Sequence, residues 1–201
     1  MAILRYNKER QIVSLFRKGD SGAMDLFYAE YADYLTGVCS RYIRDREDVH
    51  DVMQESLIKI FTKISAFEYR GMGSLKAWAT RIVINESLHF LREKHPFMLM
   101  DRGADFPDIV EEGPPDVDGL SVEQLSDMIL ELPPGYRAVF NLFAIEGKSH
   151  KEIAEMLGIK PDTSASQFFK ARNMLAKMIH ERITSNERKW KSNGWTGCAS
   201  G

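Results

Sequence analysis

Apolar residues recur every three or four positions along most of the chain, a spacing that places them on one face of an α-helix. The clearest case is the segment 46–64, REDVHDVMQESLIKIFTKI. Alternation typical of strands is almost absent, and no Asn-Gly or Asp-Gly pair joins two alternating runs. We therefore predict an all-α fold. The residues predicted to be buried in 46–64 are Val49, Val52, Met53, Leu57, Ile60, Phe61 and Ile64.

A break in this periodicity divides the chain. The segment 101–119, DRGADFPDIVEEGPPDVDG, combines three prolines, three glycines and seven acidic residues, which is the composition of a linker. We predict two small helical domains, 1–96 and 120–184, joined by an acidic flexible linker over 97–119. The tail 185–201 is predicted to be disordered.

Composition limits the classes of protein to consider. The chain has 201 residues, 44% of them hydrophobic, which is enough for two small cores. No apolar run reaches the roughly 18 residues needed to span a bilayer, and the start, MAILRYNKER, is charged too early for a signal peptide. We expect a cytoplasmic protein without membrane insertion. Cys39 and Cys198 are the only cysteines and form no C-x-x-C pair, so we expect neither a disulfide framework nor a cysteine zinc site, and Cys39 is predicted to lie in the core. We also expect no metal or cofactor.

Charge is distributed unevenly along the chain. Ten acidic residues against one arginine give 101–135 a net charge of −9, so the rest carries +7 within a total of −2. The segment 136–192 holds eleven Lys and Arg against six Asp and Glu, a net charge of +5. Such a basic segment is suited to binding nucleic-acid phosphates, although an ordinary solvated surface has a similar composition.

A helix, a short turn and a second helix are predicted in the second half. Ser149 and Glu152 have the spacing of a capping box, in which each side chain bonds the backbone of the other residue. Gly158 suits the left-handed residue that ends a helix, and Pro161 suits the first position of the next one. The stretch 157–172, LGIKPDTSASQFFKAR, therefore belongs to a helix-turn-helix, a motif whose second helix enters the DNA major groove in many regulators.

The second helix of this motif has two different faces. Its predicted buried face consists of Ser164, Phe168, Ala171, Leu175 and Met178. The opposite face consists of Ala165, Ser166, Phe169, Lys170 and Asn173, with Gln167 and Arg172 at its edges. Phe169 is unexpected on a solvated face, and it indicates a contact either with neighbouring helices or with thymine methyl groups.

A row of polar residues lies opposite the buried stripe of 46–64. Asp48, Asp51 and Glu55 follow i, i+3 and i+7 spacing, beside Gln54. A solvated acidic face accounts for this spacing, and so does a binding surface for a basic partner.

Both halves of the chain resemble the extracytoplasmic-function (ECF) sigma factors of bacterial RNA polymerase. The segment 132–175, LPPGYRAVFNLFAIEGKSHKEIAEMLGIKPDTSASQFFKARNML, is similar to their carboxy-terminal domain, and the order D-x-x-D-x-x-QE in 48–55 is similar to their core-binding segment. The resemblance covers about residues 10–95 and 120–182, in the order of the family. Matches to the family pattern within 65–94 are Trp78, Arg81, Ile82, Asn85, His89, Leu91 and Arg92.

The resemblance implies a protein that binds core RNA polymerase and directs transcription initiation from promoters by recognising and melting the −10 element and recognising the −35 element. It also implies an anti-sigma partner, and it assigns sigma region 2 to 1–96 and sigma region 4 to 120–184. The implied contacts to the β′ clamp helices of the polymerase are Asp48, Asp51, Gln54 and Glu55. Those to the −10 element are Tyr69, Arg70, Asn85, His89 and Arg92. Those to the −35 element are Thr163, Ser166, Gln167, Lys170 and Arg172.

The recognition helix departs from the family pattern. Ser164 stands where Val is usual, Ala165 where Lys is frequent, and Gln167 where Arg is frequent. Fewer positive charges give fewer phosphate contacts, so we predict a shallow salt dependence of DNA binding and little stable binding by the free protein. Gln167 or Asn173 is a candidate for recognising adenine.

Two other classes of protein fit parts of the sequence. A one-component or response-regulator transcription factor shares the helix-turn-helix, but it needs a ligand pocket or a receiver domain in residues 1–100, which the sequence does not predict. A serine recombinase needs a serine near arginines, which Ser40, Arg41 and Arg44 would provide. Its catalytic domain also needs strands, which this sequence does not predict. The sequence contains no H-E-x-x-H, phosphate-binding glycine loop or carboxylate site with metal spacing. We therefore predict that the protein is not an enzyme.

Overall fold

Helices form the regular secondary structure of the described part of the chain. The computed structural model describes the backbone of residues 2–95 and 120–193, and the side chains of 8–95 and 120–185. Within these ranges there is no strand, and the prediction of an all-α protein with two helical domains is confirmed. The chain divides into two units, residues 1–97 and 98–201.

Four helices and a short 3-10 turn form the first unit. They are α1 (Ala2–Arg17), α2 (Gly22–Ser40), α3 (Arg46–Lys63), the 3-10 turn (Ile64–Ala66) and α4 (Ser74–Lys94). Helices α2, α3 and α4 pack against one another, and α1 packs against α2 and the 3-10 turn. The largest fully buried side chains of this unit are Ile12, Phe27, Leu35, Tyr42, Ile60, Ile64, Leu75, Leu88 and Leu91.

The apolar stripe predicted for 46–64 faces this core. Five of its seven members are buried, whereas Leu57 and Phe61 are half-buried. Ser56 is fully buried within the same face, and its hydroxyl donates to the Val52 carbonyl at 2.7 Å. Cys39 is buried as predicted, and its burial raises the pKa of the thiol, against the smaller effect of a hydrogen bond from Ser87. The thiol therefore stays protonated and acts as a core residue.

Four helices and a short π-helical segment form the described part of the second unit. They are α5 (Val122–Glu131), α6 (Pro134–Phe140), the π-helical segment (Asn141–Ile145), α7 (His150–Leu157) and α8 (Pro161–Asn193). One core cluster joins α5 and α6 to α8. Its buried members are Met128, Leu132, Tyr136, Ala171, Leu175 and Ile179.

Two predicted segments differ in how far the structure describes them. The predicted linker, 97–119, lies outside the described residues. Helix α8 continues to Asn193, so residues 185–193 are helical where a disordered tail was predicted. The rest of that tail, 194–201, is also outside the described residues.

Candidate polymerase and promoter interfaces

The predicted polymerase-binding residues lie along the first half of α3. Asp45 starts this helix, because its carboxylate accepts hydrogen bonds from the amides of Glu47 and Asp48 at 2.9 and 3.1 Å. Helical spacing then places three polar side chains on the exposed side of the helix. These are Asp51, Gln54 and Glu55, and the Asp51 side chain is 77% exposed.

Asp48 differs from the other three predicted contacts. Its side chain is only 21% exposed, and Lys94 at the end of α4 donates to both of its oxygens, at 2.6 and 2.5 Å. Asp48 therefore joins α3 to α4, and its negative charge is largely balanced within the unit. A second ion pair, between Lys59 and Glu86, joins the same two helices.

His50 is a member of this surface that the sequence did not single out. Its ring lies 3.3 Å from the Gln54 amide nitrogen, and its Nδ1 lies 3.8 Å from the Asp51 carboxylate. The exposed His50 ring thus lies beside Gln54 and Asp51, two of the residues predicted to bind the polymerase. Only the i and i+4 spacing of His50 and Gln54 could have indicated this from the sequence.

The loop that follows the 3-10 turn, residues 67–73, has a backbone defined by glycines. Gly71 and Gly73 have φ values of 126° and 87°, which favour glycine over other residues. The Ser74 hydroxyl closes the turn by donating to the Gly71 carbonyl at 2.6 Å. At its start, the Phe67 ring packs on Trp78 with 5.1 Å between centroids.

The loop presents the side chains predicted to contact the −10 element in different environments. Tyr69 is half-buried, whereas Arg70 is 80% exposed and forms a 3.3 Å ion pair with the equally exposed Glu68. Met72 is 58% exposed between the two glycines, and the sequence did not single it out.

The remaining −10 candidates share one face of α4. Asn85, His89 and Arg92 are all exposed and follow i, i+4 and i+7 spacing. Arg81 extends this face by one turn towards the loop and is exposed as well. His89 Nε2 lies 3.3 Å from the carboxylate of Glu93. The face therefore offers amide, imidazole and guanidinium groups, which suit base edges and phosphates.

The helix-turn-helix has the capping chemistry predicted for it. The Ser149 hydroxyl accepts from the Glu152 amide at 3.3 Å, and the Ser149 amide donates to the Glu152 carboxylate at 2.9 Å. That amide, followed by the Ser149 hydroxyl, lowers the pKa of Glu152. Gly158 ends α7 with φ of 70°, and α8 begins at Pro161.

A polar and aromatic contact fixes α7 against α8. His150 Nδ1 lies 3.0 Å from the hydroxyl of the fully buried Ser164. The His150 ring stacks on Phe143 with 4.5 Å between centroids, and Phe143 contacts Phe168 at 4.4 Å. These contacts join α7 and the π-helical segment to the first half of α8.

The buried face of α8 agrees with the prediction at Ser164, Ala171 and Leu175 and differs from it at two positions. Gln167, a predicted contact of the −35 element, is fully buried, so its amide is not presented at the surface of α8 where a DNA base would be met. Phe168 is half-buried, and Ile179 rather than Met178 completes the buried face. In the part of α8 whose side chains are described, residues 161–185, the buried residues are Ser164, Gln167, Ala171, Leu175 and Ile179.

The opposite side of α8 presents Phe169 to solvent. Its ring is 45% exposed, and the Arg172 guanidinium lies over it at 5.6 Å from the centroid. Thr163, Ser166 and Lys170 are half-buried on the flanks of this ring. An exposed aromatic ring among hydrogen-bonding and cationic groups suits a groove lined by thymine methyls and phosphates.

Neither a membrane span nor a metal site is found in the described residues. In the helices of 2–95 and 120–193, no segment is long and apolar enough to cross a bilayer. The same ranges contain no group of three or more His, Cys, Asp or Glu side chains placed to hold a metal ion.

Comparison with known proteins matches both units to one family. Residues 27–96 match the model of Sigma-70 region 2, and residues 122–175 match that of Sigma-70, region 4. The ECF RNA polymerase sigma-E factor of Haemophilus influenzae is 29% identical over 184 residues, covering 85% of this chain and 95% of that protein. The ECF RNA polymerase sigma factor SigW of Bacillus subtilis is 28% identical over 176 residues, covering 82% and 93%.

Solved structures of similar proteins were also found. The sigma factor RpoE, in complex with the anti-sigma factor NepR from Bartonella quintana, is 21% identical with a TM-score of 0.47. The alignment covers 79% of this chain and 98% of that one.

Proposed function

This chain belongs to the extracytoplasmic-function (ECF) sigma factors of bacterial RNA polymerase, and from that premise we propose which of its surfaces perform each step of promoter recognition. It directs promoter-specific transcription initiation, and it is not an enzyme. The observation that carries this conclusion is the region 2 match followed by the region 4 match, in a chain that aligns with nearly the whole length of its sigma-factor relatives.

The exposed face of α3 docks on the polymerase. Asp51, Gln54 and Glu55 place two carboxylates and an amide on one solvent-exposed surface, which complements a basic partner such as the β′ clamp helices. Asp48 contributes mainly by holding α3 against α4 through Lys94, since its carboxylate is already paired. His50 orients Gln54 and Asp51 at the centre of this surface.

Loop 67–73 and the exposed face of α4 hold the melted −10 element. Unpairing a base costs a few kcal/mol, which stacking on aromatic rings and contacts to base edges and phosphates can offset. Tyr69 and Arg70 supply an aromatic ring and a cation from the loop, and Asn85, His89 and Arg92 supply polar groups from α4.

Helix α8 recognises the −35 element. Phe169 lies at the centre of its exposed face, with Thr163, Ser166, Lys170 and Arg172 around it. Of the two amide candidates for adenine, the half-buried Asn173 is favoured over Gln167, which is fully buried. The two DNA-binding surfaces belong to separate units, and the polymerase makes them act together by fixing their spacing. The acidic segment 97–119 passes through basic channels of the RNA polymerase, where its negative charges take the place of those of nucleic acid.

The protein acts in the cytoplasm beside the polymerase, and an anti-sigma factor covers its binding faces until it is needed. Support for this partner comes from the family resemblance. Coprecipitation of the tagged protein from its native host is expected to recover an inhibitor. Recovery of polymerase without any inhibitor, under all growth conditions tested, would count against this partner.

Run-off transcription from fragmented host DNA tests the proposed function. Core polymerase with the wild-type protein is expected to give new discrete transcripts, and Asp51→Ala and Gln54→Ala are expected to abolish most of them. Asp33→Ala is a matched control, because Asp33 is an exposed acid on α2 outside the proposed surface. Loss of transcripts with Asp33→Ala as well, or no transcripts with the wild type, would contradict the proposal.

A further inference from the structure

Glu9 in α1 is a buried carboxylate that joins three parts of the first unit. Only 5% of the surface of Glu9 is exposed to solvent. Its Oε1 accepts a hydrogen bond from the Tyr31 hydroxyl of α2 at 3.1 Å, and its Oε2 accepts one from the Gly73 amide at 2.9 Å. Gly73 is the last residue of loop 67–73 and lies 64 positions along the chain.

The charge of Glu9 matches its location. Burying a carboxylate is unfavourable unless hydrogen bonds satisfy it, so an apolar residue would suit mere packing better. Gly73 is also the residue that precedes α4, and the first turn of this 21-residue helix contains no acidic side chain. Glu9 thus supplies the negative charge that the positive end of a helix dipole favours.

Arg17 holds the other end of the same loop. Its guanidinium Nη2 donates to the Phe67 carbonyl at 3.2 Å. Glu9 and Arg17 are eight residues apart in α1, about 12 Å along the helix. Helix α1 therefore contacts the first and the last residue of a loop whose two positive-φ glycines otherwise leave its backbone permissive.

We propose that α1 positions loop 67–73 for promoter opening, with Glu9 and Arg17 as positioning residues. The inference rests on the proposed function of this loop at the −10 element. Helix α1 ends at residue 17, whereas the region 2 match begins at residue 27. A segment outside the matched region thus controls the geometry of a surface inside it.

Substitutions at Glu9 in the reconstituted polymerase complex test this inference. In Glu9→Gln, the amide oxygen still accepts from Gly73 and the amide nitrogen donates to the Tyr31 hydroxyl, whereas Glu9→Ala loses both bonds. We expect Glu9→Ala to slow promoter opening about tenfold, equivalent to about 1.4 kcal/mol, and Glu9→Gln to restore it to within about threefold. Affinity for core polymerase is expected to stay unchanged in both.

Glu30→Ala is the matched control for loss of packing. Glu30 pairs with Lys8 at 2.7 Å, so it also joins α1 to α2, without touching the loop. This variant is expected to open promoters at the wild-type rate. If Glu9→Ala and Glu30→Ala slow opening equally, the positioning role is wrong. If Glu9→Ala folds poorly, Arg17→Ala replaces it in this test, because Arg17 is exposed. We expect Arg17→Ala to slow promoter opening as well.

Loop variants separate this inference from the function on which it rests. Tyr69→Ala and Arg70→Ala alter the proposed DNA contacts themselves. If they slow opening while Glu9→Ala and Arg17→Ala do not, the positioning role fails and the proposed function stands. If none of the four slows opening, the proposed −10 function of the loop fails.

Discussion

Phe169 is the side chain that we expect to contribute most to −35 recognition. Its ring is 45% exposed in the middle of a helix face, where exposed aromatic area is unfavourable in water. The Arg172 guanidinium lies over the ring at 5.6 Å from its centroid. A thymine methyl group in the major groove would bury this apolar surface.

A thymine-to-uracil substitution in the −35 element tests this contact atom by atom. Uracil lacks the methyl group, which is worth roughly 0.8 kcal/mol when buried, so the wild-type complex is expected to lose about fourfold in affinity. Phe169→Ala is expected to bind the thymine promoter about as weakly and to show no further loss with uracil. The measurement is promoter binding by the polymerase complex with each pair of protein and DNA.

Ile145→Ala provides the control for this pair. Ile145 is 44% exposed in the same unit but lies outside the recognition helix. Its variant is expected to keep the full thymine preference. An equal uracil effect in wild type and Phe169→Ala would show that the ring contacts no thymine.

Two aspartates of α3 have different expected roles. Lys94→Ala removes the partner of Asp48 and is expected to lower the free energy of unfolding by about 0.5–1 kcal/mol, the usual value of a partly exposed ion pair. Asp51→Ala, at a 77% exposed side chain, is expected to leave stability unchanged and to weaken polymerase binding. Urea unfolding together with polymerase binding distinguishes them. Equal destabilisation by both variants would contradict these roles.

Capping boxes define the starts of two helices in the second unit. Ser121 and Gln124 form one at α5, and Ser149 and Glu152 form the other at α7. Only the second includes a titratable side chain. The stability of the helix-turn-helix should therefore depend on pH through Glu152.

The lowered pKa of Glu152 fixes the direction of this dependence. Because the folded state favours the charged carboxylate, its contribution is fully present above the ordinary glutamate pKa and is lost as pH falls through the lowered value. The free energy of unfolding is expected to fall over this acidic window. In Glu152→Gln the fall should be smaller, whereas Glu155→Gln, at an exposed acid of the same helix, should behave like the wild type. Identical pH profiles for Glu152→Gln and wild type would refute the assignment.

Local chemistry explains which elements the sequence could predict. The box at Ser149, the left-handed Gly158 and the start at Pro161 each depend on residues within one turn, and all three are confirmed. The burial of Gln167 in α8 depends instead on how whole helices of this unit pack together, which residues within one turn do not determine. Helical spacing alone could not show which of the neighbouring residues Gln167 and Phe168 would be fully buried.

The candidate site also combines features that follow from local sequence with features that depend on the packing of distant residues. The exposed positions of Asp51, Gln54 and Glu55 follow from periodicity, because they lie opposite an apolar stripe. The pairing of Asp48 with Lys94 joins residues 46 positions apart, and that of Glu9 with Gly73 spans 64. Such contacts depend on the packing of whole helices, so no local pattern indicates them.

Promoter recognition by the whole molecule is proposed to combine two DNA-binding surfaces, each of which binds weakly on its own. The recognition helix offers few cations, and we propose that the −10 surface contacts DNA only after melting. In this proposal the polymerase fixes the distance at which both surfaces meet the promoter, which raises the effective concentration of the second contact. Promoter affinity should therefore belong to the complex and not to the free chain.

Promoter binding measured with and without core polymerase shows whether promoter affinity belongs to the complex or to the free chain. A labelled duplex from a promoter identified by run-off transcription is titrated with the free protein, with core polymerase and with both. We predict stable binding and a melted −10 element only when both are present, and the loss of both when the complex is formed with Asp51→Ala. Tight, sequence-specific binding by the free protein, unchanged when polymerase is added, would instead identify an ordinary repressor or activator.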